Sequence, residues 1–164
     1  LKEGDEIIIL PGRESTKVKS IEGSIKPAVY GISTGITTED KVFADRGDII
    51  VRKGDPHPKI TKELLGHVFW MDPVPLKEGE RLLFKCSTQE VMCDVEIKQV
   101  IDSSTLEKLT NDGTKMENRQ VADVIIRTEK PVVIENFNEI PILGRFVLQR
   151  YDTCAGGIIT GFGD

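Results

Sequence analysis

The sequence predicts an all-β protein of the barrel or sandwich class, with its strands arranged in two blocks. Short apolar or alternating runs recur along the chain, and glycine, proline and other turn residues separate them. Helical periodicity is nearly absent, and residues 105–109 form the one stretch that indicates a helical turn. Closely spaced short strands of this kind are typical of barrels and sandwiches.

The first block contains four predicted strands. An apolar run lies between the turn residues Gly4-Asp5 and the breakers Pro11-Gly12, as expected for a strand bounded on both sides. The next run alternates, with Thr16 and Val18 on one face and lysines on the other, which indicates a half-buried strand. The predicted strands are Glu6–Leu10, Ser15–Ile21, a short one within Lys26–Ile36, and Ile49–Val51.

A change of composition marks the boundary between the blocks. Residues 53–59 contain Gly54, Pro56 and Pro58. Proline fixes its own φ and pushes the preceding residue towards extended geometry, so this stretch is expected to form a semi-stiff linker. We therefore expect one domain over 1–55, a linker over 56–63 and a second domain over 64–164.

The second block contains seven predicted strands, of which the last two form a terminal hairpin. The hairpin is expected to turn around Tyr151-Asp152-Thr153, and a polar loop is expected over Asn111–Asn118. Lys130-Pro131 is expected to separate two strands because proline cannot donate to a ladder. The predicted strands are Gly66–Met71, Arg81–Lys85, Val91–Ile101, Gln120–Thr128, Val132–Glu135, Gly144–Gln149 and Ala155–Thr160.

The composition limits the classes of function. Hydrophobic residues make up 38% and charged residues 30% of the 164, which is typical of a soluble globular protein. The net charge of -5 argues against bulk nucleic-acid binding, which usually needs a basic face. No apolar run approaches the roughly 20 residues of a membrane-spanning helix. The chain opens without a signal peptide. It also lacks an initiator Met, so we expect an excised piece of a longer protein. The odd number of cysteines without framework spacing predicts reduced thiols in a cytoplasmic protein.

The sequence offers no evident catalytic, cofactor or metal site. It contains neither a Gly-x-x-x-x-Gly-Lys-Ser/Thr run for phosphate nor a Gly-x-Ser-x-Gly nucleophile elbow. His57 and His67 have no His or Cys neighbour at metal-ligand spacing. The three cysteines, Cys86, Cys93 and Cys154, lack a disulfide framework and are expected to be reduced packing residues.

A few residues have both a structural and a functional interpretation. Trp70 is expected in the core, with an interface anchor as the alternative. Arg145 and Arg150, with the nearby Asp152, are expected on a solvated strand face, with a charged site as the alternative. Gly156-Gly157 within an apolar strand indicates a bulge, a barrel corner or a close approach of another chain.

Several segments together resemble the second and third domains of elongation-factor-type GTPases. The resemblance in the second block lies in Gly144–Leu148 and in Ala155–Ile159, which is similar to the closing hairpin of the third domain. The first block carries Gly4-Asp5-Glu6, Leu10-Pro11-Gly12, Lys17–Glu22, Ala28, Gly35-Ile36 and Arg46–Ile50. The resemblance implies two small antiparallel β-barrels, of which the first, domain II-like barrel is truncated at its N-terminus.

Within that superfamily, two features resemble the large, GTP-hydrolysing subunit of sulfate adenylyltransferase. One is Trp70-Met71 followed by Pro75-Leu76 and Gly79, and the other is Arg145–Leu148 leading through Tyr151-Asp152 into the last strand. The translation branch is expected to have a Val-Ala-Val-Gly-like stretch near this strand, where the chain has Cys154–Gly157.

The resemblance implies a parent enzyme that makes adenosine phosphosulfate and pyrophosphate from ATP and sulfate. GTP and Mg²⁺ would bind a GTPase domain preceding Leu1, and the barrels would couple that domain to the small catalytic subunit. The chain itself would have no catalytic residue, cofactor or metal. The partner contacts would involve Trp70, Arg145, Arg150 and Tyr151.

Two alternatives stand beside this interpretation. The chain is also compatible with the barrels of a translation elongation or release factor, which would bind tRNA or a release-factor partner. Salt-sensitive binding to aminoacyl-tRNA would favour that class, because phosphate contacts impose a steep salt dependence. A protein-interaction module with another partner is the third alternative.

Overall fold

The chain divides into two compact units, Leu1–His57 and Pro58–Asp164. A computed structural model describes residues 1–23, 26–105, 107–108 and 115–163. The predicted helical turn over 105–109 and the predicted loop over 111–118 therefore lie partly outside the described residues. No helix in the described ranges is both long enough and apolar enough to cross a membrane.

The first unit is a four-stranded antiparallel sheet. Its strands are β1 (Glu6–Leu10), β2 (Glu14–Ile21), β3 (Ile36–Thr38) and β4 (Ile49–Arg52), in the spatial order β3-β2-β1-β4. Ile7, Val18 and Ile21 form a small buried cluster, and a register shift between Val18 and Ser20 accompanies the odd spacing of the two β2 residues.

The sheet of the first unit is open, whereas the resemblance implies a barrel. Among the described residues, β3 and β4 each pair on one side only, so they are the two edges of the sheet. The identification of this unit as a truncated domain II-like barrel over 1–55 stays a prediction.

The second unit contains a closed antiparallel barrel of six strands. The barrel order is β10-β5-β12-β11-β7-β8, and β6 and β9 form a separate two-stranded pair. A four-residue helix, α1, precedes β11. The elements are β5 (Lys59–Trp70), β6 (Leu76–Lys77), β7 (Arg81–Cys86), β8 (Gln89–Asp102), β9 (Lys115–Met116), β10 (Gln120–Ile134), α1 (Pro141–Gly144), β11 (Arg145–Gln149) and β12 (Thr153–Phe162).

The barrel closes around a continuous apolar core. Alternate residues of each strand point inward, as the burial pattern of β8 shows most clearly. The rings of Phe84 and Phe146 stack inside with centroids 5.2 Å apart. The largest fully buried side chains of this core are Trp70, Phe84, Leu64, Leu76, Leu82, Met116, Ile126, Ile134, Leu148 and Ile159. The all-β class is thereby confirmed.

The structure corrects several predicted boundaries. Residues 59–63, assigned to the linker, begin β5, where Lys59 pairs with Ile134 and Glu63 with Arg127. The two strands predicted on either side of Lys130-Pro131 form one strand, β10, whose register against β5 shifts between Arg127 and Val132. A bulge tolerates proline, because the ladder there does not need its missing N–H. Lys115–Met116 forms β9 instead of a loop.

Candidate partner-binding surface

Three of the four predicted contact residues lie together, and the fourth lies apart. Trp70, Arg150 and Tyr151 lie at the end of the barrel where β5 ends and where the β11–β12 turn runs. Arg145 lies at the beginning of β11, beside the β7–β8 turn. Arg145 and Arg150 are close in sequence, but they lie at opposite ends of strand β11 and therefore at different ends of the barrel.

Trp70 is fully buried, so it supports the surface from beneath. Its indole Nε1 donates to the carbonyl of Val74 at 2.9 Å, which satisfies its one polar atom. The guanidinium of Arg150 covers the ring, with Cζ 5.5 Å from the centroid. In this structure Trp70 has no surface for a partner, and its core interpretation fits these contacts.

Arg150 is the centre of a hydrogen-bonded ion cluster. It donates to Glu80 at 2.6 and 2.9 Å and to Asp72 at 3.1 Å, and its side chain is one-fifth exposed. The hydrogen bond from Arg150 holds the pKa of the Glu80 carboxyl below its ordinary value, against the effect of burial. The hydrogen bond to Glu80 likewise raises the pKa of Arg150. The cluster fixes the loop before β7 against the β11–β12 turn.

Tyr151 is the exposed member of this group, at 91% exposure. It lies at the rim of an open groove of about 620 Å³, beside Val74, Pro75 and Glu78. An aromatic side chain that is exposed at a turn and packs little against its own protein is suited to contact with another protein.

Arg145 is an exposed cation beside a second hollow of about 500 Å³. Lys85, Ser87, Thr88 and Ile142 line this hollow with it. Lys85 is paired with Glu90 at 3.1 Å. Among the described residues, no carboxylate pairs with Arg145, so its charge is available to a ligand.

A neighbouring apolar face was not among the predicted site residues. Along β5, Leu65 and Phe69 point outward and are 38% and 40% exposed, and Met71 is 45% exposed. His67 lies between them and hydrogen-bonds through Nδ1 to Asp123 at 2.6 Å. The one available signal was the run Gly66–Met71, in which Phe69 and Met71 alternate with the inward-facing Val68 and Trp70.

The cysteines have the properties of packing residues. Cys86, Cys93 and Cys154 are free thiols and are buried. Burial raises the pKa of Cys86 to about 11 and that of Cys93 to about 12, and it raises the pKa of Cys154 as well. Such thiols are poor nucleophiles at neutral pH.

Within the part of the chain that the structure describes, no site fits GTP or Mg²⁺. Its sequence has no P-loop lysine to contact phosphate. Within the described ranges, no group of three or more His, Cys, Asp or Glu side chains is arranged to hold a metal ion.

Comparisons with known proteins match the second unit to a protein family and nearly the whole chain to individual relatives. The family model described as "GTP-eEF1A C-terminal domain-like" matches residues 63–160. Sulfate adenylyltransferase subunit 1 of Teredinibacter turnerae is 29% identical over 154 residues, which cover 90% of this chain and 32% of that protein. Elongation factor 1-alpha of Methanothrix thermoacetophila is 32% identical over 156 residues, which cover 91% of this chain and 37% of that protein.

The fold has a close counterpart among solved structures. The crystal structure of sup35 complexed with GDP matches with a TM-score of 0.85 at 16% identity, over 100% of this chain and 42% of that one. The chain spans about a third of the length of the curated relatives that it matches. The resemblance to elongation-factor-type GTPases is confirmed, with relatives in both the sulfate adenylyltransferase and the translation branch.

Proposed function

The chain belongs to the GTP-eEF1A C-terminal domain-like family, and from that premise we propose that it is the non-catalytic β-barrel region of a GTPase subunit of sulfate adenylyltransferase. The observation that carries the proposal is its similarity to sulfate adenylyltransferase subunit 1 over 90% of its length. The local pattern of Trp70-Met71, Arg145–Leu148 and Cys154–Gly157 supports the same branch.

The proposed role is mechanical coupling between a GTPase domain and a small catalytic subunit. A closed barrel with a packed core moves as a rigid body, because shifting one strand requires the whole ladder to follow. The Arg150 cluster ties the loop before β7 to the β11–β12 turn, and this supports rigidity at the end of the barrel. Such a body can pass a displacement from one bound domain to another.

The parent reaction would join ATP and sulfate into adenosine phosphosulfate, with release of pyrophosphate. GTP and Mg²⁺ would bind in the GTPase domain of the parent and not in this chain. The parent would act in sulfate assimilation in the cytoplasm. Within this chain, the contacts proposed for the small subunit and the GTPase domain involve Arg145, Arg150 and Tyr151, with Trp70 holding Arg150 in place.

A second candidate is the tRNA- or factor-binding region of a translation GTPase. The observation that favours it is the 32% identity to an elongation factor 1-alpha, which exceeds the 29% to the sulfate adenylyltransferase subunit. The net charge of -5 disfavours an extensive phosphate-binding face.

Binding to two baits separates the candidates. The full 164-residue chain is immobilised and exposed to the small subunit of a bacterial sulfate adenylyltransferase or to aminoacyl-tRNA, at two salt concentrations. Retention of the small subunit alone supports the proposal. Retention of tRNA alone, with a steep loss at higher salt, supports the translation candidate. Retention of neither contradicts both and leaves an interaction module with another partner.

A substitution then tests the surface. Tyr151→Ala is expected to weaken retention of the small subunit, whereas Tyr30→Ala, at a residue 95% exposed in the first unit, serves as the matched control. Equal retention by both variants would remove Tyr151 from the proposed contact.

A further inference from the structure

The two adjacent glycines of β12, Gly156 and Gly157, differ in the space that a side chain would have. A Cβ built on Gly157 would lie 2.5 Å from Cζ of Phe146 and 2.6 Å from the carbonyl oxygen of His67, so packing inside the chain requires this glycine. A Cβ built on Gly156 would meet no heavy atom within 4 Å, and its φ lies outside the left-handed region. Neither packing nor backbone geometry of the described chain requires glycine at 156.

Gly156 lies at the centre of an outward-facing apolar row. The ladder register places it between Val147 of β11 and Phe69 of β5, and Phe69 is in turn paired with Val121 of β10. A hollow of about 390 Å³ opens here, and we call it the Gly156 notch; it is bordered by Phe69, Met71, Val121 and Ile158. The missing side chain at Gly156 leaves an open space in a row of apolar residues that is otherwise filled.

The charges around the notch are arranged asymmetrically. Arg145 is paired in the ladder with Ile158 at one border and has no carboxylate partner among the described residues. At the opposite border, Asp123 is occupied by His67 at 2.6 Å. An incoming anionic group would therefore be attracted to the Arg145 end of the face and repelled from the Asp123 end.

We infer that the Gly156 notch and Arg145 form one docking site for an extended protein segment that carries an apolar side chain and a carboxylate two residues apart. The apolar side chain fills the notch over Gly156, and the carboxylate pairs with the guanidinium of Arg145. Gly156 and Arg145 lie one strand and two residues apart, roughly 8 Å, and alternate side chains of an extended segment lie about 7 Å apart on one face.

Charge decides between a protein and a nucleic acid as the occupant. Arg145 is an exposed cation on the strand next to Ile158, which borders the notch, and no described carboxylate pairs with its guanidinium. One cation beside an apolar notch suits one carboxylate with an apolar neighbour, whereas a nucleic acid needs a run of cations along its phosphates. The inference rests on the proposed function in one respect: both require that the partner is a protein.

Selection from a peptide library tests the site directly, whichever protein the partner is. Phage-displayed random peptides are selected on the full chain, and the probes are the individual peptides recovered. We expect enrichment of peptides with an apolar residue and an Asp or Glu two positions away. Gly156→Val and Arg145→Glu are each expected to weaken binding of these peptides by about tenfold or more, as for the loss of one well-packed contact.

The controls keep loss of binding separate from loss of folding. Gly156→Val fills open space in a strand and is expected to keep the wild-type thermal midpoint. Thr160→Val, an exposed position of the same strand outside the notch, is expected to bind the peptides as the wild type does. No enrichment, enrichment of basic peptides, or peptides that bind Gly156→Val unchanged would overturn the inference.

Binding of the small subunit of sulfate adenylyltransferase distinguishes failure of the docking site from failure of the proposed function. If the small subunit binds the wild type and Gly156→Val equally while the peptides lose binding to Gly156→Val, the small subunit uses another surface, and both the docking site and the proposed function stand. If the peptides behave as expected but the small subunit does not bind at all, the docking site stands and the proposed function fails.

Discussion

Arg150 donates two hydrogen bonds to Glu80, at 2.6 and 2.9 Å, although the two residues are 70 positions apart in the chain. The same guanidinium contacts Asp72 and lies over the indole of Trp70. One side chain thus joins the end of β5, the loop before β7 and the β11–β12 turn. The cluster therefore holds three segments that are distant in sequence together at one end of the barrel.

Removing the guanidinium should destabilise this end of the barrel. Arg150→Ala removes the cationic partner of two partly buried carboxylates, and we expect a loss of roughly 1–2 kcal/mol in the free energy of unfolding. Arg150→Lys should lose less, because it keeps the charge but not the forked geometry. Arg145→Ala is the control and should stay within about 0.5 kcal/mol of the wild type in urea unfolding. Equal effects at 145 and 150 would contradict the assignment.

The same cluster should make stability depend on pH below the ordinary glutamate range. The pKa of Glu80 is lowered in the folded state from an ordinary value of 4.5, so its contribution is fully present above that pH. It is lost as the pH falls through the lowered value. The difference in unfolding free energy between the wild type and Glu80→Gln should therefore be constant from about pH 6 to 8 and shrink below roughly pH 4.5. A difference that grows on acidification would refute this sign.

The two glycines of β12 should respond differently to alanine. Gly157→Ala forces the ring of Phe146 and the backbone at His67 apart, and overpacking of this kind costs about 1–3 kcal/mol. Gly156→Ala meets open space and should be neutral or slightly stabilising, within about 0.5 kcal/mol. Thermal or urea unfolding of the two variants measures the contrast, and similar losses for both would show that Gly156 is needed for the fold.

Gln89 should be one of the most sensitive polar residues. Its buried side chain donates from Nε2 to the carbonyl of Val133 at 2.8 Å and accepts from the N–H of Val133 at 2.7 Å, as a neighbouring strand would. Gln89→Ala leaves both backbone groups unsatisfied, at a cost of about 2–3 kcal/mol. Gln149→Ala removes one exposed hydrogen bond, at 2.9 Å to Tyr151, and is the matched control. A small effect at 89 would mean that water replaces the amide.

The thiols should react slowly while the protein is folded. With pKa values of about 11 for Cys86 and about 12 for Cys93, the thiolate fractions at pH 8 fall by about a hundredfold or more below that of an exposed cysteine. Titration with a colourimetric disulfide reagent should show little reaction in buffer and rapid reaction of three thiols in urea. Fast labelling in buffer would indicate opening of the barrel.

Local patterns predicted most of the strands, and they failed where pairing overrode them. Alternation identified β2 and β8, because inward and outward residues follow the pleat, and the turn around Tyr151-Asp152-Thr153 identified the β11–β12 hairpin. Residues 59–63 were assigned to the linker from Pro56 and Pro58, yet pairing with β10 extends β5 to Lys59. Pro131 suggested a break in a strand, but a bulge accommodates it. The pairing partner of a strand is a non-local property, which periodicity does not contain.

The candidate site was predicted only in part. Trp70 was expected in the core and is fully buried there, while its alternative as an interface anchor has no exposed surface. Tyr151 and Arg145 are exposed, and their role in partner contact stays a prediction. The exposed apolar row at Phe69 was missed, because an apolar residue in a strand is indistinguishable from core until its face is known.

The sequence by itself determined the all-β class, the hairpin at the C-terminus and the resemblance to elongation-factor-type GTPases, since these depend on composition, period and motif. The tertiary structure alone decided that six strands close into a barrel, that Arg150 reaches Glu80 and that Gly157 packs against Phe146 while Gly156 opens outward. Ladder register sets which side chains meet across strands, and a shift of one residue would exchange every inward and outward position. Register is established by the packing of the whole core, so it cannot be predicted from any local stretch of the sequence.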